Sequence, residues 1–165
     1  MLRRLGIAAT MGLALLAVAC SSGDGNESSA SPQQTEGQAS KAGKDLTRAG
    51  EVAGVEVAAT WLTESNVKKA GVDLSRYPLG EFVLVEIEFT THSGDLNKID
   101  MVRAALLRQG TAEVQPQTWV SVSDDSHHRA GILAFPRNLK DGPVDLAIKI
   151  GDKELALQWE AAPTT

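Results

Sequence analysis

One cysteine, Cys20, is present in 165 residues, so no intrachain disulfide can staple the fold. Aromatic residues make up 4%, too few to line a platform that stacks sugars or bases. Basic residues are outnumbered, 16 Lys and Arg against 21 Asp and Glu, for a formal net charge of −5. Such a chain has no cationic field to hold nucleic acid, and that class of partner is set aside. No apolar run reaches the ~20 residues that a permanent membrane-spanning helix needs. There is no G-x-S-x-G nucleophile elbow and no glycine-rich phosphate loop. What is present is a 42% share of hydrophobic residues, rich enough in Leu and β-branched types to fill the core of one ordinary domain.

The N-terminus reads as an address. Arg3 and Arg4 precede a run from Gly6 to Ala19 that is apolar or small apart from Thr10, the pattern of a secretory signal over residues 1–19. The run closes on Ala17-Val18-Ala19-Cys20. This ending resembles the lipobox of bacterial lipoproteins, with Ala17 where Leu is commonest and Leu16 one residue earlier. The resemblance implies that Cys20 carries the acyl chains and becomes the first residue of the mature protein. A two-chain anchor gives stable membrane attachment, whereas a lone exposed thiol would be a liability. Loss of Arg3 and Arg4 leaves 14 basic and 21 acidic residues, a net charge of −7. Ser21 follows the cysteine, so no Asp there argues for inner-membrane retention.

Ser21 to Asp45 contains no Val, Ile, Leu, Met, Phe, Tyr or Trp. Nothing there offsets the entropy of folding, and the Ser, Gly and Gln content predicts a flexible, disordered tether over residues 20–45. The folded domain is expected over 46–160, followed by a disordered tail at 161–165.

Within the domain, apolar residues recur with period two. Val55, Val57, Ala59 and Trp61 alternate with Glu56, Ala58 and Thr60; Val83, Val85, Ile87 and Phe89 alternate with Leu84, Glu86 and Glu88. Further strands are expected at Ile99–Leu107, Val114–Val122, Gly131–Phe135, Val144–Ile148 and Leu155–Trp159. Ile99–Leu107 is apolar on both parities and is readable as a buried strand or a short helix, with strand favoured. Pro116 interrupts the Val114–Val122 segment, and Gly151-Asp152 signals a hairpin. About seven strands at turn spacings of ~8–12 residues predict an all-β antiparallel sandwich. Its expected core is Val57, Trp61, Val83, Val85, Ile87, Phe89, Leu106, Leu133, Phe135, Leu146, Ile148, Leu157 and Trp159.

All three histidines fall in two loop-like segments, Thr90–Leu96 and Asp124–Gly131. A sandwich collects its loops at two ends, so such segments can meet, and loops on a rigid scaffold are where function sits. His92, His127 and His128, with Asp95 or Asp124 as a fourth group, have the ligand types for copper or zinc. No Cys lies in the domain, which excludes a blue-copper centre. Adjacent His127 and His128 point to opposite faces in a regular strand, so both bind one ion only if the backbone bends there. The alternative is structural, with one imidazole pinning the two loops together. A hydrolase is weaker still. His92, Ser93 and Asp95 contain triad types, but sequence neighbours cannot form a triad by themselves.

The two segments together resemble a group of uncharacterised secreted bacterial lipoproteins that share T-H-S-x-D-L, a later Trp, H-H-x-x-G-x-L-x-F-P and a closing Trp. The matching residues are Thr91, His92, Ser93, Asp95 and Leu96; Trp119; His127, His128, Gly131, Leu133, Phe135 and Pro136; and Trp159. The match runs from about Phe82 to Trp159 and implies an immunoglobulin-like sandwich without implying an activity. Asp124-Asp125-Ser126 departs from the glycine-rich approach expected before the His pair. The expectation is therefore a lipid-anchored, non-catalytic binding module of the bacterial cell envelope. It binds either Cu(II) or Zn(II) through its His cluster or an envelope protein partner. An exposed edge strand would favour the partner, and convergent imidazoles would favour the metal.

Overall fold

A computed structural model describes residues 46–163. The expected signal peptide and tether, Cys20 and the last two residues of the chain lie outside the described residues. Those described all belong to one compact unit, Ala39–Thr165.

Strand β1, Thr47–Val52, turns back on β2, Val55–Trp61, through Ala53 and Gly54. Both turn residues have positive φ, 55° and 77°, as a type I′ hairpin demands. In β2 the odd residues Val55, Val57, Ala59 and Trp61 are buried, and Glu56 faces solvent. A long connection then leads to β3, Phe82–Thr91. It holds one 3-10 turn, Val67–Ala70, stopped by Gly71 at φ 71°. After β3 come a 3-10 turn at Leu96–Lys98 and the one-turn helix α1, Met101–Ala104, capped by Asp100. Then follow β4 (Ala105–Gln109), β5 (Ala112–Val114), β6 (Thr118–Asp124), β7 (His128–Pro136), β8 (Val144–Ile150) and β9 (Lys153–Trp159). The β8–β9 hairpin turns at Gly151-Asp152 as expected. Gly151 sits at φ 63°, the first central position of a type II′ turn.

The strands form two antiparallel sheets, ordered β1-β2-β3-β7-β6 and β5-β4-β8-β9. The all-β sandwich holds. Strands β2, β3, β7 and β6 lie in the A-B-E-D order of an immunoglobulin-type sheet, and β4, β8 and β9 in its C-F-G order. Strand β5 adds to the second sheet, and β1 adds to the first.

The core between the sheets holds Trp61, Val83, Val85, Ile87, Phe89, Leu133 and Phe135 from the first sheet. Leu107, Leu146, Ile148, Leu157 and Trp159 face them from the second. Trp61 and Trp159 meet edge to face at 5.4 Å, the preferred geometry for aromatic pairs. A second cluster lies on the outer face of the first sheet. There Leu84, Ile132 and Ala134 are buried beneath Val67, Val72, Leu74 and Tyr77 of the long connection. Both clusters and nine strands lie within residues 46–163, so the Ala39–Thr165 unit carries what it needs to fold alone.

Three expectations need correction. Nine strands are present among the described residues, not seven. One of the added strands is β1, whose Thr, Arg and Gly hide the alternation. A Cβ at Gly50 would come within 2.8 Å of Leu155 Cδ1, so the Leu155 side chain packs into the space this glycine leaves. The Val114–Val122 segment is two strands in different sheets, parted around Pro116. Ile99–Leu107 is neither wholly strand nor wholly helix. The α1 turn shifts the parity of β4, so Leu107 enters the core and Leu106 is only half buried.

Candidate functional site

The two His-bearing segments do meet, at one end of the sandwich. The Thr91 N–H donates to His127 O at 3.0 Å, and the Leu96 N–H to Ser126 O at 3.0 Å. Asn97 Nδ2 donates to Asp124 O at 2.8 Å. Thr91 Oγ1 donates to Gly54 O at 3.2 Å and Ser93 O at 2.8 Å, tying the β1–β2 turn to the same end.

The polar side chains here serve the backbone. Asp125 Oδ1 accepts from the N–H groups of His127 at 2.8 Å and His128 at 3.1 Å. These two N–H groups, in that order, hold the Asp125 carboxyl below the usual carboxylate range. Asp95 Oδ1 caps the Leu96–Lys98 turn through the Asn97 N–H at 3.0 Å.

Each of the three histidines has its own setting. His128 begins β7 beside Thr90, with its Nδ1 3.3 Å from Thr90 Oγ1. His127 lies in the turn, its Nδ1 3.4 Å from Ser126 Oγ. His92 is exposed just past the end of β3. The backbone hydrogen bonds join the loops. Among the described residues, no three His, Cys, Asp or Glu side chains gather closely enough to hold a metal ion. The expected set of His92, His127, His128 and Asp95 is therefore not assembled. Ser126 Oγ approaches His127, and Asp125 Oδ1 is bound to backbone N–H groups.

Arg129, to which the sequence reading assigned no role, is the buried charge of this end. It is only 9% exposed and faces inward from β7. Its Nη1 donates to Leu96 O at 2.9 Å and to Ile99 O at 2.7 Å. Its guanidinium lies 5.2 Å over the Trp119 ring, a cation–π contact, and its Nε is 3.8 Å from Asp124 Oδ1. Trp119 in turn occupies the space left by Gly131. A Cβ at Gly131 would come within 2.6 Å of Trp119 Cε2. The signal was parity. Arg129 shares the inward parity of Gly131, Leu133 and Phe135.

The sheet edges differ in their cover. Strand β1 runs beside β9, and Arg48 Nε donates to Gln158 O at 2.7 Å across that seam. Strand β5 has three residues. Strand β6 is seven residues long and, among the described residues, pairs only with β7. Its residues from Ser121 to Asp124 are exposed, and Val122, 42% exposed, is the one large hydrophobic side chain in the open among the described residues. A bulge sets Val122 between Ser121 and Ser123.

Beyond the apolar cluster, the outer face of the first sheet carries acidic residues. Glu51 stands opposite Glu56, and Glu86 and Glu88 share β3. Partial burial, and then Glu88, push the Glu86 carboxyl above its ordinary range.

No family model, curated protein or solved structure matches the chain.

Proposed function

We propose that this chain is a non-catalytic protein-interaction module of the bacterial cell envelope, held at the membrane by acylated Cys20. The observation that carries the reading is the open β6 edge. Among the described residues this strand is paired on one side only, and an exposed Val122 stands on it. An edge of this kind is a template for another chain. The polar groups of the His end favour the same reading, because Asp95, Asp125, Asn97 and Arg129 are engaged in fixing loops. Copper or zinc binding through His92, His127, His128 and Asp95 is the weaker reading, since these groups do not converge.

The test places a photo-crosslinking amino acid at Val122 in the full-length chain, in the envelope of its host or a related bacterium. The control position is Ser75, in the long connection. A discrete adduct at Val122 and none at Ser75 is expected, and Cys20→Ser should move the chain from the membrane to the soluble fraction. A Val122 probe that captures nothing overturns the interaction reading. Membrane retention of the Cys20→Ser chain overturns the anchor.

A further inference from the structure

We propose that the β6 edge pairs with β6 of a second copy of this chain, antiparallel about a two-fold axis, so that two five-stranded sheets become one continuous sheet. The inference rests on the interaction reading above and names the partner.

Protected edges normally carry Lys, Pro, inward charges or a cover. Between Thr118 and Ser123, β6 has no Lys, Arg or Pro. Its one protective device is the bulge at Val122, which leaves Thr118–Ser121 as a regular ladder in register with Gly131–Ala134. The other long edges are not free, because β1 and β9 lie along each other. One pairing surface per copy forms a closed, isologous dimer rather than a filament.

Charge selects the orientation. Asp124 and Asp125 stand at the C-terminal end of the strand, and its start, Gln117-Thr118, is uncharged. A parallel pairing would set these carboxylates beside their own copies, and like charges directly opposite destabilise a sheet. The antiparallel pairing brings them towards Thr118 and Gln117 and lets the exposed Val122 pack across the axis. Anchoring in one membrane layer would raise the effective concentration of such weakly pairing copies.

The experiment uses the Ala39–Thr165 unit, which lacks Cys20. Its mass is followed by sedimentation equilibrium from about 1 µM to about 1 mM, the range of weak to moderate association. The expected result is a concentration-dependent doubling of mass, with amide exchange at Thr118–Ser121 slowing as dimer forms. Val122→Lys should weaken association by about tenfold or more at an unchanged melting temperature. A single-copy mass throughout the range overturns the proposal. So does a dimer that ignores Val122→Lys and leaves exchange at Thr118–Ser121 unaltered. A monomer whose Val122 still crosslinks a different envelope protein refutes self-pairing and leaves the interaction reading intact. A monomer with no Val122 adduct refutes both.

Discussion

Arg129 joins three parts of the His end. Its donors satisfy two loop carbonyls, its plane covers Trp119, and its charge is nearly out of water. Removing one side of such an arrangement leaves buried acceptors unpaired. Arg129→Met, which keeps the apolar bulk, should cost about 2–3 kcal/mol in chemical denaturation, and Arg129→Lys should recover only part of it. A loss under ~0.5 kcal/mol for Arg129→Met would show that the loops hold without it.

Glu86 carries a pH signature. Its carboxyl is raised in the fold by burial and by Glu88, so the folded state favours the protonated form. That contribution is fully present below the unfolded carboxylate range and is lost as pH rises through the folded value. Glu86→Gln should therefore raise the melting temperature at neutral pH, and the gain should vanish as pH falls below the carboxylate range. A gain that persists in acid would place the effect in packing instead.

At the scale of elements, the β1–β2 hairpin shows where local chemistry and fold disagree. Its type I′ turn puts Ala53 at φ 55°, a conformation that costs an alanine roughly 1–2 kcal/mol and suits Asn. Ala53→Asn should stabilise the domain by about 0.5–1 kcal/mol, read as a higher denaturant midpoint at an unchanged slope. No change would mean that the turn relaxes around Ala53 at no cost. Strands β2, β3, β8 and β9 were legible because each buries one parity and wets the other over much of its length. Strand β1 was not, since Arg48 and Gly50 stand where apolar residues would mark an inward face. In Ile99–Leu107 the capping residue Asp100 was the available sign of the helical turn that moved Leu106 out of the core.

For the molecule as a whole, the sequence by itself determined the fold class, most of the core and the β8–β9 hairpin, and it allowed the two His segments to meet. These follow from period-two burial, from turn residues and from the way a sandwich gathers its loops. The tertiary structure alone decided which groups at that end face one another. His127 lies beside Ser126 and His128 beside Thr90, whereas Arg129, Trp119 and Gly131 are brought together across β6 and β7. It also decided which strands are edges. Edge position depends on the order of strands in each sheet, set by pairings between residues far apart in the chain, and no local pattern in Thr118–Asp124 records that β7 is its only partner among the described residues.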